Sequence, residues 1–206
     1  MREIAIIDAG IGNLRSVQKA FERVGARPLI TGDPAVVVEA DAVVLPGVGA
    51  FGDGMNGLRS RGLDEAVLDV IKRGVPFFGI CVGLQLLFQE SEEMGTHQGL
   101  GVLPGRILRF PANLTVPHMG WNQIEQRRQH PLLAGVPDGA FAYFAHSYHV
   151  VTDDESIVVA TTDYGSPFPS VVARDHVWAI QFHPEKSQQV GLKLLANFVA
   201  RITNQF

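Results

Sequence analysis

Apolar residues in the first eighty positions occur in two arrangements: unbroken runs of strand length and stripes at helical spacing. Glu3–Ile7 (EIAII), 28–31, 41–45 and 75–80 (VPFFGI) are the runs. Val17, Ala20, Phe21 and Val24 trace a helical stripe over 14–24, and 63–71 carries a second one that stops at Gly74. Residues 82–88 read as a further helix that follows the fourth run directly, and Gly32-Asp33-Pro34 reads as a turn. Continuous apolar strands alternating with helices predict a parallel sheet with both faces covered.

Beyond residue 105 the pattern shortens. Segments 105–110, 121–125, 140–144, 149–151, 157–161, 170–174 and 177–182 are candidate strands separated by glycine, proline and Asp-Asp turns, which predicts antiparallel additions or hairpins. Near the end, Gly191, Leu194, Leu195, Phe198, Val199 and Ile202 form one apolar helical stripe. The expected architecture is α/β, a single domain over residues 1–206 with an open, mostly parallel sheet.

Composition narrows the function classes. The 206 residues are 46% hydrophobic and 18% charged, so the chain has core enough to fold without disulfides or metals. Seventeen basic residues against 21 acidic ones give a net charge of −4, which argues against a nucleic-acid partner. No apolar stretch approaches the ~20 residues of a membrane span, and the opening residues lack a signal-peptide pattern, so a cytoplasmic protein is expected.

Residues 43–54 (VVLPGVGAFGDG) read as a short apolar strand running into a glycine-rich turn, and raise a competing possibility, because Gly47 to Gly52 spells G-x-G-x-x-G, the dinucleotide-binding expression. That fingerprint belongs after the first strand, with an acid at a strand end about 20 residues on. Here the first run leads instead into D-A-G-I-G-N-L-R, and the acid at the required distance is Asp69, inside an amphipathic helix. The context does not support a nucleotide loop.

Cys81 is the only cysteine and stands in G-I-C-V-G, the thiol counterpart of the G-x-S-x-G nucleophile elbow. A nucleophile on a sharp strand-to-helix turn needs side-chain-free neighbours where the chain passes itself, and the helix N-terminus favours an anionic attacking atom. A buried structural cysteine between packing glycines would carry the same pentapeptide. A thiol nucleophile also needs a base with an orienting partner. His183 follows the strand candidate VWAIQF and precedes Pro184-Glu185, so a carboxylate two residues on can hold its tautomer. His146 and His149 form H-x-x-H, but strand geometry does not put i and i+3 on one face and no further ligands complete a metal set. His97, His130 and His176 carry no assigned role, and no metal or cofactor is expected.

G-I-C-V-G-L-Q together with Q-F-H-P-E resembles the class I, or triad, glutamine amidotransferases. D-A-G-I-G-N-L-R-S, L-P-G-V-G-A-F, P-H-M-G-W-N and Q-F-H-P-E-K-S together resemble one branch of that family, the glutaminase subunits of imidazole glycerol phosphate synthase. The resemblance runs from Ile6 to Ser187 and into the closing helix, with Ala9 standing where that family usually has tyrosine. It implies a flavodoxin-like sheet and a Cys81–His183–Glu185 triad that hydrolyses L-glutamine to glutamate and ammonia through a glutamyl thioester. It further implies that Gln85, one helical turn after Cys81, and Ser147, in YFAHSY, hold the substrate. The backbone N–H of Val82, with Val48 and Gly49 of the P-G-V-G turn, would bind the oxyanion, and Gly47 would line the glutamine site. Asn13, Trp121, Asn122 and Lys186 fall in motifs of the docking face for a (β/α)8 cyclase subunit. In that family the cyclase uses the ammonia to make imidazole glycerol phosphate and AICAR in histidine biosynthesis. A half-buried core position is the other reading of Trp121. Rival functions are a glutaminase subunit for pyridoxal phosphate or anthranilate synthesis, and a non-catalytic flavodoxin-like thiol or nucleotide-binding module. P-H-M-G-W-N and P-G-V-G, in place of P-G-G, count against the former.

Overall fold

An unbroken apolar strand is stable only where both sheet faces are covered, and the first half of the chain supplies that cover in alternation. The computed structural model describes residues 3–203. Its first half comprises β1 (Glu3–Ile7), α1 (Leu14–Arg23), β2 (Arg27–Thr31), α2 (Pro34–Glu39), β3 (Ala42–Gly47), α3 (Phe51–Arg59), α4 (Leu63–Lys72), β4 (Phe77–Cys81) and α5 (Val82–Gln85). Next come β5 (Glu90–Ser91), β6 (His97–Gln98), β7 (Arg106–Arg109), β8 (His118–Gln126), β9 (Ala140–His146) and β10 (Tyr148–Val151). β11 (Val158–Asp163), β12 (Pro167–Arg174), β13 (Val177–Ile180) and α6 (Gln188–Thr203) complete the described chain.

Nine strands form the main sheet in the order β2-β1-β3-β4-β13-β12-β11-β8-β9. The first five are mutually parallel and the rest are joined antiparallel, as the two halves of the sequence pattern predict. That parallel order, with β13 as the fifth strand, is the doubly wound flavodoxin-like arrangement, whose sites lie at the carboxyl ends of the strands. Right-handed crossovers place α1 on one face, where it meets α6, and α2, α3 and α4 on the other. A second sheet, β10-β7-β5-β6, stands apart. The 149–151 segment therefore belongs to this small sheet, and the chain passes from β9 in one sheet to β10 in the other at Ser147. Among the described residues no helix is long and apolar enough to cross a membrane.

Three expectations need correction. Asp33-Pro34 starts a helix rather than a turn: the Asp33 carboxylate accepts the Ala35 N–H at 2.9 Å, and proline occupies the first helical position of α2. The glycine-rich stretch after Gly49 forms α3, where a Cβ on Gly57 would come within 1.9 Å of the Ala9 carbonyl oxygen. Those glycines serve close helix packing. The α-helix expected over 82–88 stops at Gln85: the Leu86 N–H still reaches Val82, but the N–H groups of Leu87 and Phe88 donate to Leu84 and Gln85 only three residues back, and the carbonyls of Leu86, Leu87 and Phe88 are capped by the amides of Leu100, Leu103 and Gly101.

Phe198 of α6 ties the parallel half together. Its ring stacks on Phe78 of β4 at 5.0 Å and meets Phe21 of α1 and Trp178 of β13 edge-on at 6.3 and 6.0 Å. All four side chains are fully buried. Phe198→Ala should lower the unfolding free energy by about 3–5 kcal/mol, as measured by the shift of the urea midpoint.

Candidate active site

Cys81 closes β4 and opens α5 with φ 55° and ψ −111°, a backbone region that costs a side-chain-bearing residue about 1–3 kcal/mol. The flanking glycines make this turn possible. A Cβ on Gly83 would stand 1.7 Å from the Leu45 carbonyl oxygen, and one on Gly79 would lie 2.9 Å from the Gly83 carbonyl. Gly47, at the end of β3, is in register with Cys81, and a Cβ there would meet Val82 Cβ at 2.9 Å. Val82 is the first residue of α5, so its N–H belongs to the turn that a helix leaves without internal partners.

β13 lies beside β4, and its continuation brings His183 to the Cys81 sulfur. His183 Nδ1 is 2.9 Å from Glu185 Oε1, and both side chains are 3% exposed. Pro184 opens a short 3-10 turn, Pro184–Lys186, that fixes the two-residue spacing. The segment is bolted to β9: the His183 N–H donates to the Tyr143 carbonyl at 2.9 Å, and the Tyr143 N–H donates to Ser187 Oγ at 2.9 Å. Burial alone would lower the pKa of His183. Its hydrogen bonds to Cys81 and Glu185, with the negative charge of each, outweigh burial and raise it to about 10. The imidazole therefore holds a second proton at neutral pH.

A cavity of about 190 Å³ opens over Cys81. Its walls include Val48, Gly49, Val82, Gln85 and Ser147, five of the residues singled out from the sequence, with Glu93, Met119, His146 and Tyr148. Gly49 has φ +112°, and a Cβ built there would meet nothing within 4 Å, so the backbone conformation rather than crowding favours glycine. Gly47 is a different case: it is not among the residues lining this cavity, because its Cα is packed against Val82 and Ile11 behind the wall. The Gln85 carboxamide nitrogen donates to the Tyr148 carbonyl at 3.0 Å and to Gln181 Oε1 at 3.1 Å. Gln181 Nε2 in turn lies 3.7 Å from Cys81 Sγ.

The proposed docking residues separate. Trp121 is 47% exposed and edge-on to Tyr143 at 6.0 Å, and the ammonium of Lys186 lies 5.5 Å from the same ring. Met119 and Phe141 extend this exposed apolar face of the β8–β9 pair. Asn13 is exposed at the N-cap position of α1, next to Gly12, which packs on Gly47. Asn122 points the other way. Strand alternation turns it to the opposite face from Trp121, where its Nδ2 donates to the Asp163 carbonyl at 2.8 Å.

A family model of class-I glutamine amidotransferases matches residues 5–202. The chain belongs to that family. Curated relatives of this amidotransferase include the imidazole glycerol phosphate synthase subunit HisH of Syntrophotalea carbinolica, 57% identical over 202 residues, 95% of this chain and 98% of that protein. HisH of Geobacter sulfurreducens is 55% identical over 205 residues, covering 96% and 98%. Among solved structures, PurLQS of Thermotoga maritima superposes with a TM-score of 0.77 over 99% of each chain at 19% identity, which shows the shared fold.

Glu93 and Gln181 escaped the sequence reading. Glu93 lies in a charged loop with no local signature, and it reaches the cavity because its Oε2 accepts the Phe51 N–H at 2.6 Å. Gln181 sits inside Q-F-H-P-E, and a polar residue interrupting the apolar run VWAIQF two positions before a candidate base was the available signal; in the structure its amide is fully buried. Gly83→Ala should cost about 3 kcal/mol or more, because the colliding atom is backbone, and denaturant unfolding measures it. Burial depresses His118 to about 4 and His146 to about 3. Below pH 6.5 the unfolded chain gains protons that these folded rings refuse, so stability falls as pH drops toward those values. Each ring contributes up to about 1.4 kcal/mol per pH unit, and urea unfolding at pH 7 and pH 5 should show the loss.

Proposed function

We propose that this amidotransferase hydrolyses glutamine with Cys81, His183 and Glu185 as its triad and delivers the ammonia to a (β/α)8 cyclase subunit of imidazole glycerol phosphate synthase, in histidine biosynthesis. The observation that carries the reading is the strained Cys81 turn, open to a small cavity on one side and hydrogen-bonded to the buried His183–Glu185 pair on the other. The exposed Met119–Trp121–Phe141 face with Lys186, and relatives that are named as synthase subunits, support the partner.

The chemistry balances with these groups alone. The Cys81 thiolate attacks the side-chain amide carbon of glutamine, and the carbonyl π electrons move to oxygen. That oxyanion is received by the N–H of Val82 and by the Val48–Gly49 segment, each donor contributing roughly 3–4 kcal/mol when well placed. The intermediate collapses with cleavage of the C–N bond, and the leaving nitrogen takes the proton that His183 holds. Water, deprotonated by the now neutral His183, cleaves the thioester to give glutamate and restores the thiolate. Glu185 keeps the ring oriented and its positive charge stabilised. The Glu93 carboxylate and Ser147 stand where the α-amino and α-carboxylate end of glutamine would lie, and Gln85 flanks the side chain. Ammonia released into bulk water would be protonated and lose its nucleophilicity, so a covered route to the partner is required. A reduced thiol nucleophile also fits a reducing cytoplasm.

Cys81→Ala should abolish glutamine-dependent synthesis by the reconstituted complex and leave ammonia-dependent synthesis intact. Retained glutaminase activity in that variant would overturn the mechanism. Glu93→Gln should raise KM for glutamine by about tenfold with kcat changed far less, the loss expected for one charge-assisted contact. Reconstitution with a candidate cyclase tests the coupling: an isolated chain as active as the complex contradicts it.

A further inference from the structure

Two buried histidines face each other outside the triad and take no part in the chemistry above. His118 of β8 and His146 at the end of β9 are register partners, 4% and 6% exposed. His118 stacks between Phe144 at 4.9 Å and Tyr164 at 4.1 Å. Its Nδ1 lies 3.0 Å from His146 Nε2. His146 Nδ1 is 2.8 Å from the Tyr148 carbonyl, and Asn122 Nδ2 is 3.2 Å from His118 Nε2.

One assignment of protons satisfies this line. A carbonyl only accepts, so His146 carries its proton on Nδ1 and offers Nε2 as acceptor. His118 then donates from Nδ1 and accepts at Nε2 from Asn122. The far end is fixed by backbone as well: Asn122 Nδ2 also donates to the Asp163 carbonyl, and its Oδ1 accepts the Gln123 N–H at 2.8 Å. Both rings are thus neutral Nδ1–H tautomers, which agrees with the desolvation that keeps them uncharged near neutral pH. The Tyr148 carbonyl has two lone pairs, and Gln85 Nε2 takes the second. With Gln181 Oε1 receiving its other proton, the Gln85 nitrogen is fully used, and Oε1 is the atom of that carboxamide left to meet a ligand in the cavity.

We propose that Asn122, His118 and His146 are positioning residues, a one-directional line of hydrogen bonds from β8 that holds the Tyr148 carbonyl in place and, through it, the Gln85 carboxamide. The role rests on the glutaminase reading of the cavity. Loss of His146 removes one of the two side-chain donors that hold the Tyr148 carbonyl, so the carbonyl and the Gln85 carboxamide bonded to it shift together, which weakens glutamine binding without disturbing the thiol. Asparagine at 146 keeps a donor at the Nδ1 position.

The test has two parts. Long-range 1H–15N correlation on the wild-type chain at pH 7 should find both rings as neutral Nδ1–H tautomers; an Nε2–H tautomer or a charged ring at either position overturns the line. In the complex with the cyclase, His146→Leu should raise KM for glutamine by about tenfold, with kcat and the rate of Cys81 alkylation by iodoacetamide within about twofold. His146→Asn should restore KM to within about threefold of wild type. An unchanged KM in folded His146→Leu, or an asparagine variant equally impaired, overturns the proposal. Should His146→Leu fail to fold, Asn122→Ala carries the same KM comparison, with a rise of about threefold expected and no rise overturning the role. Failure of the glutaminase reading would show separately, as hydrolysis surviving in Cys81→Ala.

Discussion

The α-carbon of Gly83 passes so close to the Leu45 carbonyl that no side chain fits between them. This contact sets the angle at which the chain leaves β4, and that angle holds Cys81 at positive φ with its sulfur turned toward the carboxyl edge of the sheet. The whole candidate site is arranged around that point. β3 delivers the Gly47–Gly49 turn to one side of it, and β13 delivers Gln181 and His183 to the other. The strained residue is affordable because the strands beneath it are fully buried and cannot yield.

Electrostatics divides the buried histidines into two kinds. His183 meets a carboxylate and a sulfur and stays protonated, whereas His118 and His146 meet carbonyl, amide and each other and stay neutral. Burial is common to all three. The difference lies in the partners, which is why desolvation dominates in one place and is outweighed in the other. The small cavity over Cys81 thus has His146 and the Tyr148 segment in its wall, while His183 reaches it only through the sulfur.

Much of this was legible in the residues. The EIAII and VPFFGI runs announced a buried parallel sheet, and G-I-C-V-G with Q-F-H-P-E located the elbow and its histidine. The failures have physical causes. Glycines that serve close helix packing in α3 look identical to glycines that make turns. Asp33-Pro34 satisfies both turn and helix-start chemistry, and tertiary packing chooses. Glu93 has no local signature because only the fold brings its loop over α3. Asn122 sits in a motif with Trp121, yet the two-residue period of a strand sends the neighbours to opposite faces.

The bolting of residues 183–187 to Tyr143 has a consequence outside catalysis. β9 is the last strand of the nine-stranded sheet, and an open edge of this kind invites pairing with another chain. The His183 amide and the Ser187 hydroxyl occupy the main-chain groups of Tyr143 on that margin. The segment that bears His183 is therefore also a guard on the sheet's border, so the same few bonds hold the candidate site and shield the edge.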